Sequence, residues 1–163
     1  MIILGIDPGY ATVGFGLVEN LSGKCRAIEY GAIITKKEEN LPNRLLKISN
    51  AFEQIIDKYK PDAIAIEELF FQNNQKTAIL VAEARGAILL TAYKKCAALY
   101  EYTPLQIKQA MTGYGRAEKR QIQEMVKAML NLNCLPKPDD AADALAVALT
   151  HAQTNRLAGL FGI

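Results

Sequence analysis

At 163 residues and 17.9 kDa, with half its residues hydrophobic, the chain is large enough for one core that needs no staples. Apolar runs such as those at 78–81 and 87–92 fall far short of the roughly 20 residues of a membrane span. A net charge of +2 is too weak to establish a nucleic-acid partner, and Cys25, Cys96 and Cys134, odd in number and without Cys-x-x-Cys spacing, argue against a disulfide framework and a zinc site.

The N-terminus MIILGIDPGY has no basic lead-in and enters an apolar strand at once, so no signal peptide is expected and the cytoplasm is the expected compartment. The segments IILGID, TVGFGLVEN and CRAIEYGAIIT predict three strands, divided by the turn signals Pro8-Gly9 and Ser22-Gly23, and such short connections imply antiparallel pairing. Over 41–59, apolar residues recur at helical spacing (Leu45, Ile48, Phe52, Ile55, Ile56), with Pro42 suited to the first turn and Pro61 just beyond the end. DAIAIE then predicts a short strand buried on both faces and lying centrally.

A long helix containing Gly86 is expected over 75–95, a fifth strand over 97–102, and a short helix opened by Thr103-Pro104. The glycine-bearing stretch MTGYGRAEK predicts a loop, 119–132 an amphipathic helix, and 139 to about 153 a helix apolar around most of its circumference that must pack deeply. Strands first as a meander and then alternating with helices predict an α/β fold, a five-stranded mixed sheet covered by helices. One domain is expected over 1–155, with a short tail at 156–163.

Four acids interrupt this apolar pattern. Asp7 and Glu67 end apolar strands, and Asp140 and Asp143 open the last helix. An isolated carboxylate at a core-facing position is costly, so each must be capped, paired, neutralised or metal-bound. Asp7 before Pro-Gly also suits a turn, Glu67 could be solvated, and Asp139 or Asp140 could cap the helix. Spacing of i and i+3 places Asp140 and Asp143 on one helix face, with the small residues Ala141 and Ala142 between them, which favours a site. Hard oxygen donors without a His or Cys cluster select Mg²⁺ or Mn²⁺, and such sites suit phosphodiester chemistry. Between 105 and 137 the chain is locally basic, with Lys108, Arg116, Lys119, Arg120, Lys127 and Lys137 against Glu118 and Glu124.

The stretches ILGIDPGYATVGFG, LPNRL, AIEELFF, EARG, QIKQAMTGYGRAEK and DDAADALAVALTHA, in that order, resemble the RuvC-type Holliday-junction resolvases, crossover-junction endodeoxyribonucleases of the ribonuclease H-like superfamily. The resemblance implies a ribonuclease H-like five-stranded mixed sheet flanked by α-helices on both faces. It also implies a Mg²⁺-dependent endonuclease that resolves four-way DNA junctions by paired symmetric nicks during recombination and repair. By motif, Asp7, Glu67, Asp140 and Asp143 match the catalytic metal-binding acids, expected to hold two Mg²⁺ ions that Mn²⁺ can replace. Lys108 and Lys119 match DNA-contacting positions near the scissile phosphate, Phe70 is the candidate for stacking on a branch-point base, and Arg116 and Arg120 are neighbours in the same basic loop. A homodimer, a junction-binding protein and a branch-migration motor are the partners implied.

Three other functions compete. GIDPGYATVGFG also resembles the phosphate loop of actin-like or sugar-kinase phosphotransferases, although one compact domain without an internal repeat lacks the two lobes that enclose ATP. A related nuclease acting on RNA would share the metal chemistry, and a non-catalytic junction-binding module would leave the acids structural.

Overall fold

In the computed structural model, described for residues 1–69, 75–95, 98–154 and 163, the alternating apolar pattern of the N-terminal third becomes a meander. Its strands are β1 (Ile2–Asp7), β2 (Thr12–Leu21) and β3 (Lys24–Ile34), paired antiparallel. β4 (Ala63–Glu67) lies parallel to β1, and β5 (Leu99–Tyr102) parallel to β4, so the five-stranded sheet has the order β3-β2-β1-β4-β5. The mixed sheet predicted from the pattern is therefore present, with β1 rather than β4 at its centre. The residues expected as the C-terminal tail, apart from Ile163, lie outside the described residues.

Helices α1 (Leu41–Tyr59) and α2 (Gln75–Lys95) cover one face. Helices α3 (Pro104–Thr112), α4 (Lys119–Met129) and α5 (Asp139–Thr154) cover the other. The period of two in the strands sorts the core: Leu4, Ile6, Leu17, Ile64 and Ile66 meet α1 and α2, while Ile3, Val18 and Ala65 meet α4 and α5. By the same alternation Asp7 and Glu67 belong to the α5 face.

Helix starts follow local chemistry. Asn40 caps α1 by accepting from the Asn43 amide at 3.0 Å, and Thr103 with Gln106 forms a reciprocal capping box on α3. At α5 the carbonyl of Pro138 accepts from the amide of Ala141 at 3.0 Å, and no carboxylate hydrogen bond caps this helix among the described residues.

Residues 141 and 142 and 144–151 of α5 are all buried, because the helix lies directly on the sheet. That closeness depends on missing side chains beneath it. A Cβ on Gly14 would stand 2.0 Å from the carbonyl oxygen of Asp140, and one on Gly5 would stand 2.1 Å from that of Ala144. Gly14 pairs with Asp7, so the seat that admits the first turn of α5 adjoins the end of β1.

Candidate active site

Three chain segments carrying four acids meet where β1 and β4 end. Ile6 and Ile66 are partners in the parallel ladder, which sets Asp7 and Glu67 one residue further along neighbouring strands on the same face. The first turn of α5, lowered onto Gly14, brings Asp140 and Asp143 to the same sheet end. Each sits there for a local reason: an acid that ends a strand or opens a helix reaches past the apolar packing without interrupting it.

The electrostatics report this convergence. Burial, then the charges of Glu67, Asp143 and Asp140, push the Asp7 carboxyl up to about 8, against a smaller opposing effect of Lys119. Burial and Asp143 push Glu67 up to about 7 while Lys119 and Lys108 oppose the rise. Asp143 is also raised by burial, although Lys119 donates to it at 2.9 Å. Burial alone would lower Lys119, but the hydrogen bond and charge of Asp143, followed by Asp139, hold it above the usual lysine value.

A cavity of about 210 Å³ opens between these groups, lined by Glu67, Asp143, Lys108 and Lys119 together with the apolar side chains of Ile107, Ile122 and Ala146. Two basic residues separated along the chain thus share one cavity with two acids. Arg116 is exposed, whereas Arg120 lines a different groove beside Tyr114 and lies 4.0 Å from Glu124. Phe70 lies outside the described residues. His151 is buried three turns along α5, with its Nδ1 2.8 Å from the Tyr102 hydroxyl and its ring against Tyr100. Its imidazole has a packing and anchoring role at the far end of the helix.

The donor set fits a hard divalent cation. Its groups are oxygens only, and among the described residues Asp7, Glu67 and Asp140 have no hydrogen-bond or ion-pair partner. Among the same residues no three His, Cys, Asp or Glu side chains converge tightly enough to form a ready-made metal cage. Lys119 and Lys108 offset part of the carboxylate charge, and Lys119, bound to Asp143, stands where it competes with a cation for that group.

Over residues 3–151 the chain matches the family model described as crossover junction endodeoxyribonuclease RuvC. It belongs to the RuvC family. The crossover junction endodeoxyribonuclease RuvC of Ruminiclostridium cellulolyticum is 52% identical over 99% of this chain and 98% of the relative. The structure of Thermus thermophilus RuvC superposes with a TM-score of 0.89 at 35% identity, covering 99% of each chain. The T. thermophilus RuvC structure in complex with a Holliday junction substrate gives 0.87 at 33% identity over 96% of each. As a RuvC-family member the chain is a crossover junction endodeoxyribonuclease, a metal-dependent nuclease that resolves Holliday junctions. The fold and activity implied by its motifs are those of its relatives.

A pH dependence follows from the raised carboxyls. In the folded, metal-free protein Asp7 and Glu67 retain protons up to about 8 and about 7, whereas in the unfolded chain they release them near pH 4. Metal-free stability therefore falls as pH rises from about 4 to about 8, and a cation that binds the ionised groups reverses the loss. Thermal melts across this range should show a declining midpoint without metal, and Mn²⁺ should raise the midpoint more at pH 8 than at pH 6. A metal effect independent of pH would contradict the coupling.

Proposed function

We propose that Asp7, Glu67, Asp140 and Asp143 form the catalytic centre and hold two Mg²⁺ ions, replaceable by Mn²⁺, in a ribonuclease H-like nuclease domain spanning 1–155 with a short tail at 156–163. The observation that carries this reading is one sheet end where, among the described residues, three carboxylates lack protein partners and the fourth, Asp143, pairs with Lys119 in a cavity that Glu67 and Lys108 also line. When bound, the ions would activate water and offset charge on the leaving oxygen. The chain's own groups do the rest: Asp7 and Glu67, raised toward neutrality, would give up their protons to hold a cation, and the apolar walls of the cavity limit the water around them.

Lys108 and Lys119 approach the scissile phosphate, with Lys119 exchanging Asp143 for a phosphate oxygen. Arg116 and Arg120 steer the flanking backbone, and Phe70 stacks at the branch point. The substrate is a four-way junction, nicked symmetrically by a homodimer that works with a junction-binding protein and a branch-migration motor in the cytoplasm.

An apolar stripe on the outer face of α2 supports the dimer. Ile79, Leu90 and Tyr93 are each about 60% exposed there, beside exposed Ala82 and Gly86. Ala84 of the same helix instead points into the core.

Incubation of the protein with a synthetic four-way junction, with and without Mg²⁺, tests the reading by mapping cuts. Paired cuts at symmetry-related positions only with metal are expected, and binding without cleavage under both conditions would overturn it. Lys119→Ala should weaken junction binding and lower the slope of log affinity against log salt by about one. An unchanged slope in mobility-shift titrations would mean that Lys119 serves Asp143 and not the phosphate.

A further inference from the structure

Arg44 occupies a place where the packing of α1 calls for an apolar residue. It heads the buried stripe that continues through Ile48, Phe52 and Ile56, and it is 8% exposed. Among the described residues it has no carboxylate partner. Guanidinium groups buried this deeply are ordinarily paired with an acid, because desolvation is otherwise poorly offset. A methionine or leucine would fill the same space without that cost.

What the guanidinium does hold is the turn after Asp7. Its Nε donates to the Thr35 hydroxyl at 2.8 Å, its Nη2 donates to the Tyr10 carbonyl at 3.2 Å, and the Thr35 hydroxyl donates to that same carbonyl at 2.7 Å. The guanidinium carbon also stands 4.5 Å from the centre of the Tyr10 ring. The Thr35 amide donates to the carbonyl of Ala11 at 2.9 Å, so the end of β3 and the start of α1 grip the whole β1–β2 turn. The turn itself is tight, since a Cβ on Gly9 would fall 2.1 Å from the Thr12 carbonyl oxygen.

We infer that Arg44 is a positioning residue for Asp7: by clamping Tyr10 and Thr35 from the α1 side of the sheet, it fixes the end of β1 and hence the reach of the Asp7 carboxylate on the α5 side. The inference rests on the assignment of Asp7 to the catalytic centre. It requires no contact between Arg44 and the substrate. Geometry, not charge, is what the guanidinium supplies, because one planar group satisfies a hydroxyl and a carbonyl while stacking on a ring. A lysine keeps the charge and loses the fork.

The test compares Arg44→Lys, Arg44→Met and Thr35→Val in the full-length protein. Readouts are thermal midpoint, junction affinity without metal, Mn²⁺ binding by calorimetry, and single-turnover cleavage of a synthetic four-way junction. Arg44→Lys should lower the cleavage rate about 100-fold and Mn²⁺ affinity about 10-fold, with junction affinity unchanged. Arg44→Met should behave alike in cleavage while keeping or raising the thermal midpoint, since a buried unpaired charge has been removed. A role confined to stability predicts the opposite split: a lower midpoint with an unchanged rate in the folded fraction.

Wild-type cleavage and Mn²⁺ affinity in folded Arg44→Lys would overturn the inference. If neither Arg44 variant folds, Thr35→Val decides, because it removes the bridging hydroxyl and leaves Arg44 in place; a wild-type rate there would also overturn it. Asp7→Asn run in parallel separates the two claims. Loss of cleavage in Asp7→Asn with none in Arg44→Lys rejects the clamp alone, whereas undiminished cleavage in Asp7→Asn rejects the site on which it rests.

Discussion

Asp7→Asn is expected to reduce junction nicking by on the order of 10³-fold, equivalent to about 4 kcal/mol of transition-state stabilisation, while fold and metal-free junction binding persist. The substitution is nearly isosteric, so neither a cavity nor an overlap is created where β1 ends. It removes an anionic donor from the group that includes Glu67, Asp140 and Asp143. It also removes the group whose proton affinity is raised most, so above pH 7 the metal-free variant should melt no lower than the parent. Cleavage assays, circular dichroism melts and mobility shifts on one preparation separate these effects. Turnover at the parental rate would take Asp7 out of the chemistry.

Gly14→Ala should be severely damaging for a single added methyl. The added carbon would lie 2.0 Å from the carbonyl oxygen of Asp140 and 2.4 Å from its carbonyl carbon, and both are backbone atoms that no rotamer change can move. Relief requires the first turn of α5 to lift from β2, and Asp140 and Asp143 move with it. Overpacking of this kind costs about 3 kcal/mol or more, and here the strain falls on the element that carries half of the carboxylates. A large drop in thermal midpoint is expected, together with lost nicking at temperatures where the variant remains folded. A variant that melts and cuts like the parent would show that α5 does not depend on this seat.

Much of the architecture was legible because it is encoded locally. Strand alternation, Pro42 in the first turn of α1, the Thr103-Pro104 start of α3 and the apolar repeat of α1 all lie within a few residues of the structure they specify. Boundaries shifted where the end of an element is set by a neighbour: α4 ends at Met129 instead of 132, while the expected start of β5 at 97 lies outside the described residues and its ladder with β4 begins at Leu99. The four acids were also visible, as charges at the ends of apolar segments.

Arg44 shows where such reading falls short. Its place four residues before Ile48 on the core stripe was present in the sequence as a cation at an apolar position, but its partners Tyr10 and Thr35 belong to other elements. The outer stripe of α2 was obscured for the opposite reason. That helix has apolar residues on both its inner and outer faces, so periodicity could not separate residues packed in the core, such as Ile88, from those left exposed, such as Leu90.

By itself the sequence determined which segments fold into strands and helices, which acids interrupt them, and which family the ordered motifs belong to, because each is written in neighbouring residues. Tertiary structure alone decided that β1 and β4 lie side by side and parallel, that glycines let α5 descend beside them, and that Lys108 and Lys119 share a cavity with Glu67 and Asp143. Those juxtapositions join residues up to 136 positions apart, from Asp7 to Asp143. They arise because burying the two apolar faces of the sheet leaves its polar strand ends, and the charges they carry, a single place to meet.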